Sequence, residues 1–179
     1  MRSRAAKWGF AMAYNYLWWA SLIILSTLLL GCGKESATKF SEVAILMKGD
    51  DGKVEGIEVA RKVLSADALA EISNYQDVTT VILQDCKQVN DKLLVDVASL
   101  KSLEDLQLLN VAFTDAGLAH LKDHPTLQQM VVVNTKITGT GLAELANTPL
   151  VRLDIRGPEL TSQGMASIAK LAHLESLEL

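Results

Sequence analysis

The sequence contains few aromatic residues, and most of them fall in one short stretch. All three tryptophans and two of the three tyrosines lie within the first 31 positions, which leaves only Phe40, Tyr75 and Phe113 in the other 148. Sites for single-stranded nucleic acids stack bases on aromatic rings, and carbohydrate sites use rings in the same way. The remainder of the chain therefore offers little material for either kind of site.

Acidic residues outnumber basic ones outside that stretch. Three of the 17 lysines and arginines, and none of the 21 acidic residues, lie in the first 31 positions. The other 148 residues thus carry 14 basic and 21 acidic side chains, a net charge of −7. Nucleic-acid-binding surfaces are basic, so we expect no nucleic-acid partner. A hydrophobic fraction of 49% excludes a disordered chain, and the length suits one globular unit with its own core.

Cysteine is rare, since the chain has only two. The first, Cys32, ends an N-terminal segment. This segment has three basic residues within its first seven positions and carries no charge from Phe10 to Leu30. An apolar run of roughly 20 residues can span a bilayer, so an uncleaved membrane anchor is one interpretation. The residues Leu29-Leu30-Gly31-Cys32 instead resemble the bacterial lipobox, and the sequence turns polar immediately afterwards.

The lipobox resemblance implies a signal peptide over residues 1–31, which is removed, and a lipid on Cys32, which becomes the new N-terminus. Residues 32–41 would then form a short polar tether to the membrane. Gly33 stands where an aspartate retains many such lipoproteins at the inner membrane, which favours the outer membrane or the cell surface. We therefore expect a lipid-anchored protein of the bacterial cell envelope.

The rest of the chain is built from a repeated pattern. An octet with apolar residues at its fifth and eighth places recurs five times, at steps of 23 to 25 residues. A second pattern, apolar at places 1, 4 and 6, begins 11 or 12 residues before each octet and once more near the end of the sequence. The octets begin at Ser65, Asn90, Thr114, Thr138 and Thr161, and the second pattern begins at Val54, Val78, Leu103, Leu127, Leu150 and Leu174.

Each pattern predicts one element of secondary structure. Places 4 and 6 alternate, so they lie on one face of a strand, whereas the fifth and eighth octet places lie on one face of a helix. The Ser, Asn or Thr that starts each octet stands where a helix N-cap belongs. Glycines are poor helix formers, and we expect those of three octets to lie where helix backbone presses against the neighbouring unit: Gly117, Gly141 and Gly164.

The two coupled patterns resemble a leucine-rich-repeat array from Val54 to Leu179, and the Thr-Asp-Ala-Gly-Leu octet resembles the subtype with short convex helices. The resemblance implies an α/β solenoid with parallel strands on a concave face and short helices on a convex face. Each unit has too little core to fold alone, so stacking must bury it. We expect one leucine-rich-repeat domain over residues 42–179, with about five repeats.

A cap is predicted at the N-terminal end of this array. Residues 42–48 alternate like a strand, and Gly49-Asp50-Asp51-Gly52 is typical of a hairpin turn. We expect this strand to pair antiparallel with residues 54–60, which gives a β-hairpin cap over residues 42–60.

No cap is predicted at the other end, where the last strand stays open. Leu177 and Leu179 should be under-covered there, together with Met165 and Ile168 of the preceding helix. An unprotected strand edge invites pairing. We therefore expect either a last unit that frays or a homodimer through the edge residues Leu174, Leu177 and Leu179.

No catalytic or metal-binding motif stands out. His120 and His124 are four apart, but His124 precedes Pro125 and no acid or cysteine clearly converges with the pair, so solvated helix surface is the better interpretation. Cys86 has no disulfide partner once Cys32 is lipidated, and we expect it to be a buried structural thiol. We therefore expect no enzyme, no metal and no cofactor; a hydrolase with an unrecognised site is the less favoured alternative.

The strand residues at places 3, 5 and 7 should point away from the core, across strands about 4.8 Å apart. Apolar and amide side chains gather in the middle of this face, which predicts a surface that binds a protein ligand. Exposed apolar residues are common and strands favour Val and Ile, so a structural envelope component without a dedicated ligand is the alternative. The predicted ligand-binding residues are Ile82, Gln84, Gln107, Leu109, Val131, Val133, Asp154 and Arg156.

Overall fold

The computed structural model describes residue 40 and residues 44–60, 70–86, 90–157 and 160–179. All of them belong to one compact domain, Ser36–Leu179. Among these residues no helix is long and apolar enough to cross a bilayer. The predicted signal peptide and the lipidation site Cys32 lie outside the described residues, so both stay predictions.

The described part of the chain has an α/β architecture built on a seven-stranded sheet. The strands stand in the order in which they occur in the sequence; the first pair is antiparallel and the later pairs are parallel. The predicted hairpin at the N-terminal end is therefore confirmed. The strands are β1 (Ala44–Lys48), β2 (Val54–Ala60), β3 (Thr80–Gln84), β4 (Asp105–Leu109), β5 (Gln129–Val133), β6 (Arg152–Arg156) and β7 (Ser176–Glu178).

Short helical segments connect the parallel strands, because parallel neighbours need a crossover connection. Each segment contacts the segment of the next unit, so the helices stack as the strands do. The α-helices are α1 (Leu93–Ala98), α2 (Asp115–Leu118) and α3 (Ser162–Ile168), and 3-10 turns occupy Glu71–Asn74, Ala119–Leu121 and Thr140–Leu145.

The parallel strands pair in a register that repeats from unit to unit. Equal places of the sequence pattern lie opposite one another: place 3 runs through Gly56, Thr80, Asp105, Gln129, Arg152 and Ser176. The predicted core places 4 and 6 are at most 2% exposed in β2 to β6. These residues are Ile57, Val59, Val81, Leu83, Leu106, Leu108, Met130, Val132, Leu153 and Ile155.

The core reaches further towards the N-terminus than the sequence pattern indicates. Phe40, which falls in the predicted tether, is fully buried. Its ring centroid lies 5.8 Å from that of Tyr75, in a tilted arrangement. A buried aromatic ring removes a large apolar area from water, so Phe40 belongs to the folded body rather than to a solvated linker.

The helix N-caps agree with the prediction at two of the described octets. Thr114 Oγ1 accepts from the N–H of Ala116, and Thr161 Oγ1 accepts from the N–H of Gly164. The prediction is wrong at Thr138, because Gly139 holds the N-cap position of the 3-10 turn there, and Thr138 Oγ1 donates to Asp115 at 2.6 Å. At Asn90 the side chain accepts from Lys92 N–H just ahead of α1, and Ser65 lies outside the described residues.

Aspartates at the second octet place tie neighbouring units together. Asp91 accepts from the N–H and Oγ1 of Thr114 at 2.9 and 2.7 Å. Asp115 accepts from the same two groups of Thr138 at 2.9 and 2.6 Å, and from two further backbone N–H groups. Burial raises the pKa of Asp115, but these hydrogen bonds outweigh it and hold the pKa below its ordinary value.

Strands β3 to β6 are each followed directly by a residue whose backbone is left-handed. Asp85, Asn110, Asn134 and Gly157 have φ values of 54°, 54°, 50° and 84°. Asn, Asp and Gly are the residues that adopt this conformation most readily. Their side chains also form a ladder, since Asn134 Nδ2 donates to Asn110 Oδ1 at 2.9 Å and Asn110 Nδ2 donates to Asp85 Oδ1 at 2.8 Å.

The prediction for the octet glycines is confirmed, because all three press against the preceding unit. A Cβ on Gly117 would meet Asp91 Oδ1 at 2.7 Å, and one on Gly141 would meet the carbonyl oxygen of Asp115. A Cβ on Gly164 would meet the carbonyl oxygen of Thr138 and lie 2.9 Å from another backbone atom. Neighbouring turns can therefore stack closely only where the side chain is absent.

The last strand is as poorly covered as the sequence predicts. Leu177 and Leu179 are 41% and 61% exposed, and Met165 is 42% exposed. The prediction is wrong for Ile168, which is 5% exposed, because α3 packs on the 3-10 turn of the preceding unit. A homodimer through this edge stays a prediction.

Replacing Gly164 with alanine tests the stacking of helical turns. Alanine is the better helix former by about 1 kcal/mol, yet its Cβ would collide with backbone that cannot move away freely. We expect Gly164→Ala to lower the free energy of unfolding by about 1–3 kcal/mol in urea titrations. Gln163→Ala, at the exposed neighbouring position of α3, should change it by no more than about 0.5 kcal/mol; equal effects would contradict close stacking.

Candidate functional site

The candidate site is the face of the sheet opposite the core, which we call the open face. It consists of places 3, 5 and 7, which alternate with the buried places 4 and 6. The register sets equal places side by side. Place 5 runs through Glu58, Ile82, Gln107, Val131, Asp154 and Glu178, and place 7 runs through Ala60, Gln84, Leu109, Val133 and Arg156.

The structure places the four predicted apolar residues on adjacent strands, but two of them offer little surface. Ile82 and Leu109 are only 7% and 8% exposed, although neither belongs to the core cluster. Ile82 stands between Glu58 and Gln107 in its row. Side chains on neighbouring strands are close enough to cover one another, so the prediction of four exposed apolar residues is wrong for Ile82 and Leu109.

The accessible apolar part of the open face is therefore smaller than the sequence predicts. Val131 and Val133 are both half-buried on β5, two residues apart on the same side of the strand. The amide side chain of Gln107 is half-buried next to Val131, on β4, and that of Gln84 is half-buried on β3, two strands from Val133. Together these four residues offer an apolar centre with hydrogen-bonding groups at its margin.

The two predicted charged residues pair with each other rather than standing free. Arg156 donates to both carboxylate oxygens of Asp154, from Nε at 2.9 Å and from Nη2 at 2.8 Å. Arg156 Nη2 also donates to Glu178 at 2.8 Å, and Arg152 lies 3.4 Å from that same carboxylate. Exposed ion pairs of this kind stabilise a fold by little, so they define a rim of balanced charge next to Val131 and Val133.

Asp105 is the open-face residue that sequence reasoning missed. It occupies place 3 of β4, and its Oδ2 accepts from Gln107 Nε2 at 3.1 Å. Its Oδ1 is shut off from solvent and has no donor among the described residues. Burial raises the pKa of Asp105, against the opposing effects of the Gln107 hydrogen bond and the charge of Arg152. The signal in the sequence is an acidic residue at place 3, a place whose side chains also point away from the core.

Cys86 is a buried thiol, as the sequence predicts. Its side chain is fully buried, and Sγ contacts the carbonyl oxygens of Val59 at 3.4 Å and Gln84 at 3.2 Å. Both carbonyls belong to strand ends, so the thiol helps to satisfy backbone where the chain turns. Within the described ranges, His, Cys, Asp and Glu form no group of three or more that could hold a metal ion.

A shallow depression lies at the N-terminal side of the sheet, away from the predicted site residues. Its volume is about 200 Å³, and it is lined by Lys53, Val54, Asn74, Tyr75, Gln76 and Asp77. Pockets for small-molecule ligands typically measure about 300–1,000 Å³ and are mostly apolar. The depression is therefore a weaker candidate than the open face.

His124 contradicts the expectation of a solvated helix surface. It is 4% exposed, and its Nε2 lies 3.0 Å from the carbonyl oxygen of Leu100 in the preceding unit. Its Nδ1 is buried without a partner among the described residues. Burial lowers the pKa of His124, and the charge of Lys101 acts in the same direction. His120 and His173 are exposed, as predicted.

The burial of His124 predicts a loss of stability on mild acidification. Since the pKa of His124 is lowered by folding, the unfolded chain binds the proton more readily, and the free energy of unfolding falls as the pH drops below about 6.5. We expect His124→Gln, which keeps an N–H donor for Leu100, to be less sensitive than the wild-type chain between pH 7.5 and pH 5.5. Urea titrations at both pH values would measure this, with His173→Gln as the exposed control. Identical pH dependence in His124→Gln and wild type would contradict the assignment.

The chain was also compared with known proteins. No family model and no curated protein matches it. What can be said of its role therefore depends on the residues and the geometry described above.

Proposed function

We propose that the chain is a lipid-anchored bacterial envelope protein whose leucine-rich-repeat domain binds another protein through the open face, without catalysis. The repeating register supports the solenoid assignment, since strand and helical turn recur at the same places in successive units. Solenoids of this kind present extended surfaces suited to binding partners. Fold resemblance by itself does not establish function, so the proposal depends on the site.

The observation that carries the proposal is the arrangement around Val131 and Val133. These two apolar side chains are half-buried rather than covered, the amide of Gln107 lies next to Val131 on β4, and the Asp154–Arg156 ion pair lies on the adjacent strand β6. An apolar centre with a polar rim is the usual anatomy of a protein interface. Ile82 and Leu109, being nearly covered, would act as support beneath the contact rather than as contact residues.

A structural envelope component without a dedicated ligand is the second candidate. The small exposed fractions of Ile82 and Leu109 favour it, because they reduce the apolar area that a ligand could cover. A hydrolase is the third candidate and has the least support. Among the described residues the thiol of Cys86 is buried against backbone carbonyls, and His124 is buried against Leu100.

Photo-crosslinking in bacterial cells tests the open face directly. Benzoylphenylalanine at Val133 should give one discrete adduct, whereas the same group at Gln163, exposed on α3, should give none. Adding Val131→Lys should abolish the adduct while changing the free energy of unfolding by about 0.5 kcal/mol or less. Leu106→Ala, in the core, should cost about 2–5 kcal/mol.

Three results would count against this proposal. An adduct that persists with Val131→Lys would show that binding does not require Val131, and would overturn the apolar centre as the contact. A Val131→Lys variant as unstable as Leu106→Ala would place Val131 in the core. No adduct from Val133, with the protein folded and present in the envelope, would favour the purely structural candidate.

The lipid anchor has its own test at the two cysteines. Lipid attachment at Cys32 requires its thiol, so Cys32→Ser should give an uncleaved precursor without label when cells are grown with radioactive palmitate. Cys86→Ser removes the other cysteine and should keep the label. Equal incorporation into wild type and Cys32→Ser would overturn the lipoprotein assignment.

A further inference from the structure

Asp105 is the charged residue of the open face that has a buried oxygen without a hydrogen-bond partner among the described residues. It lies between Thr80 on β3 and Gln129 on β5 in the place 3 row. A carboxylate offers about four sites for hydrogen bonds, yet only Gln107 donates to it, and Oδ1 accepts nothing from the described residues. A carboxylate oxygen that has lost water without gaining a donor is costly to the fold. Such a group points to a donor supplied from outside the chain.

The nearest positive charge on this face does not neutralise Asp105. Arg152 occupies place 3 of β6, two strands away, which is roughly 10 Å between backbones. Its guanidinium lies 3.4 Å from Glu178, on the far side from β4. The charge of Arg152 therefore acts on Asp105 only over a long distance and does not pair with it.

The open face carries a net negative charge. Arg152 and Arg156 are its two basic residues, and both pair with Asp154 or Glu178. None of the ion pairs between described residues involves Glu58 or Asp105. The surface is thus complementary to a partner that brings positive charge to the β4 side of the apolar centre.

Resting on the function proposed above, we infer that Asp105 anchors a lysine or arginine side chain of the partner. Asp105 is itself half-buried rather than sealed, and the terminal torsion of aspartate is soft, so the carboxylate can turn either oxygen towards an incoming donor. A bond between a carboxylate and an ammonium or guanidinium is among the stronger hydrogen bonds in proteins.

The spacing on the open face also defines the sequence that the partner presents. Val131 lies one strand and two residues away from Asp105, a diagonal of roughly 7–8 Å. Two side chains on the same side of an extended segment are separated by roughly 6.7 Å. A segment with a basic residue and an apolar residue two positions apart therefore meets Asp105 and Val131 together.

Selection from a random heptapeptide library tests this inference on the full-length chain held in lipid nanodiscs, after depletion on empty nanodiscs. We expect enriched peptides to carry Lys or Arg two positions from an apolar residue. Replacing that basic residue with norleucine should weaken binding about tenfold, as loss of a charge-assisted contact does. Asp105→Asn should weaken binding of the basic peptide by the same factor and leave the affinity of the norleucine peptide unchanged. The effects of the two changes on the binding free energy should therefore not be additive.

Two controls separate a specific anchor from general electrostatics and from misfolding. Glu104→Gln removes the same charge from the exposed neighbouring residue and should leave binding within about twofold, since exposed charges are screened. Asp105→Asn should unfold at the same or a higher urea concentration than wild type, because it removes a poorly satisfied charge. The norleucine comparison uses only the wild-type chain, so it holds even if Asp105→Asn folds poorly.

The outcomes distinguish this inference from the proposed function. Peptides that lose binding in Val133→Lys, yet bind wild type and Asp105→Asn equally, would overturn the role of Asp105 and leave the open face as the binding site. Enriched peptides without a basic residue would do the same. If no peptide binds through the open face, the proposed function fails and the inference fails with it.

Discussion

The stacking of neighbouring units is the constraint on which the rest of the structure depends. A unit contributes one five-residue strand and a few helical residues, which is too little apolar surface for a separate core. Its buried side chains must therefore contact the adjacent units, as Leu106 does between Val81 and Met130. The octet glycines serve the same requirement, because turns at this separation have no room for a Cβ.

Stacking also determines where polar groups find their partners. Each turn leaves backbone carbonyls that must be bonded when they are buried, and side chains of a neighbouring unit provide the donors. Thr126 Oγ1 donates to Leu103 O at 2.7 Å, and His124 and Cys86 contact carbonyls in the same way. The Asp91–Thr114 and Asp115–Thr138 links have a carboxylate in place of the carbonyl.

The same register that aligns the core also decides the properties of the open face. Equal places stand side by side, so each open-face side chain is partly covered by those on the next strands. This covering hides Ile82 and Leu109 and leaves Val131 and Val133 accessible. It also removes water from Asp105, which has one donor where it could accept several. The poorly hydrogen-bonded carboxylate of Asp105 lowers the stability of the free protein, and the same carboxylate is well suited to bind a basic partner.

The sequence by itself determined the elements, their order and the core, because periods of two and of three to four residues are local properties that repeat in every unit. The α/β class and the hairpin at residues 44–60 follow from such local patterns. Only the tertiary structure decided the covering of Ile82 and Leu109, the burial of Phe40 and His124, and the isolation of Asp105. Each of these depends on groups from another unit, such as the Leu100 carbonyl 24 positions from His124. The periodicity of apolar residues in the sequence predicts which face a residue occupies. It does not predict which groups of the neighbouring unit lie against that face.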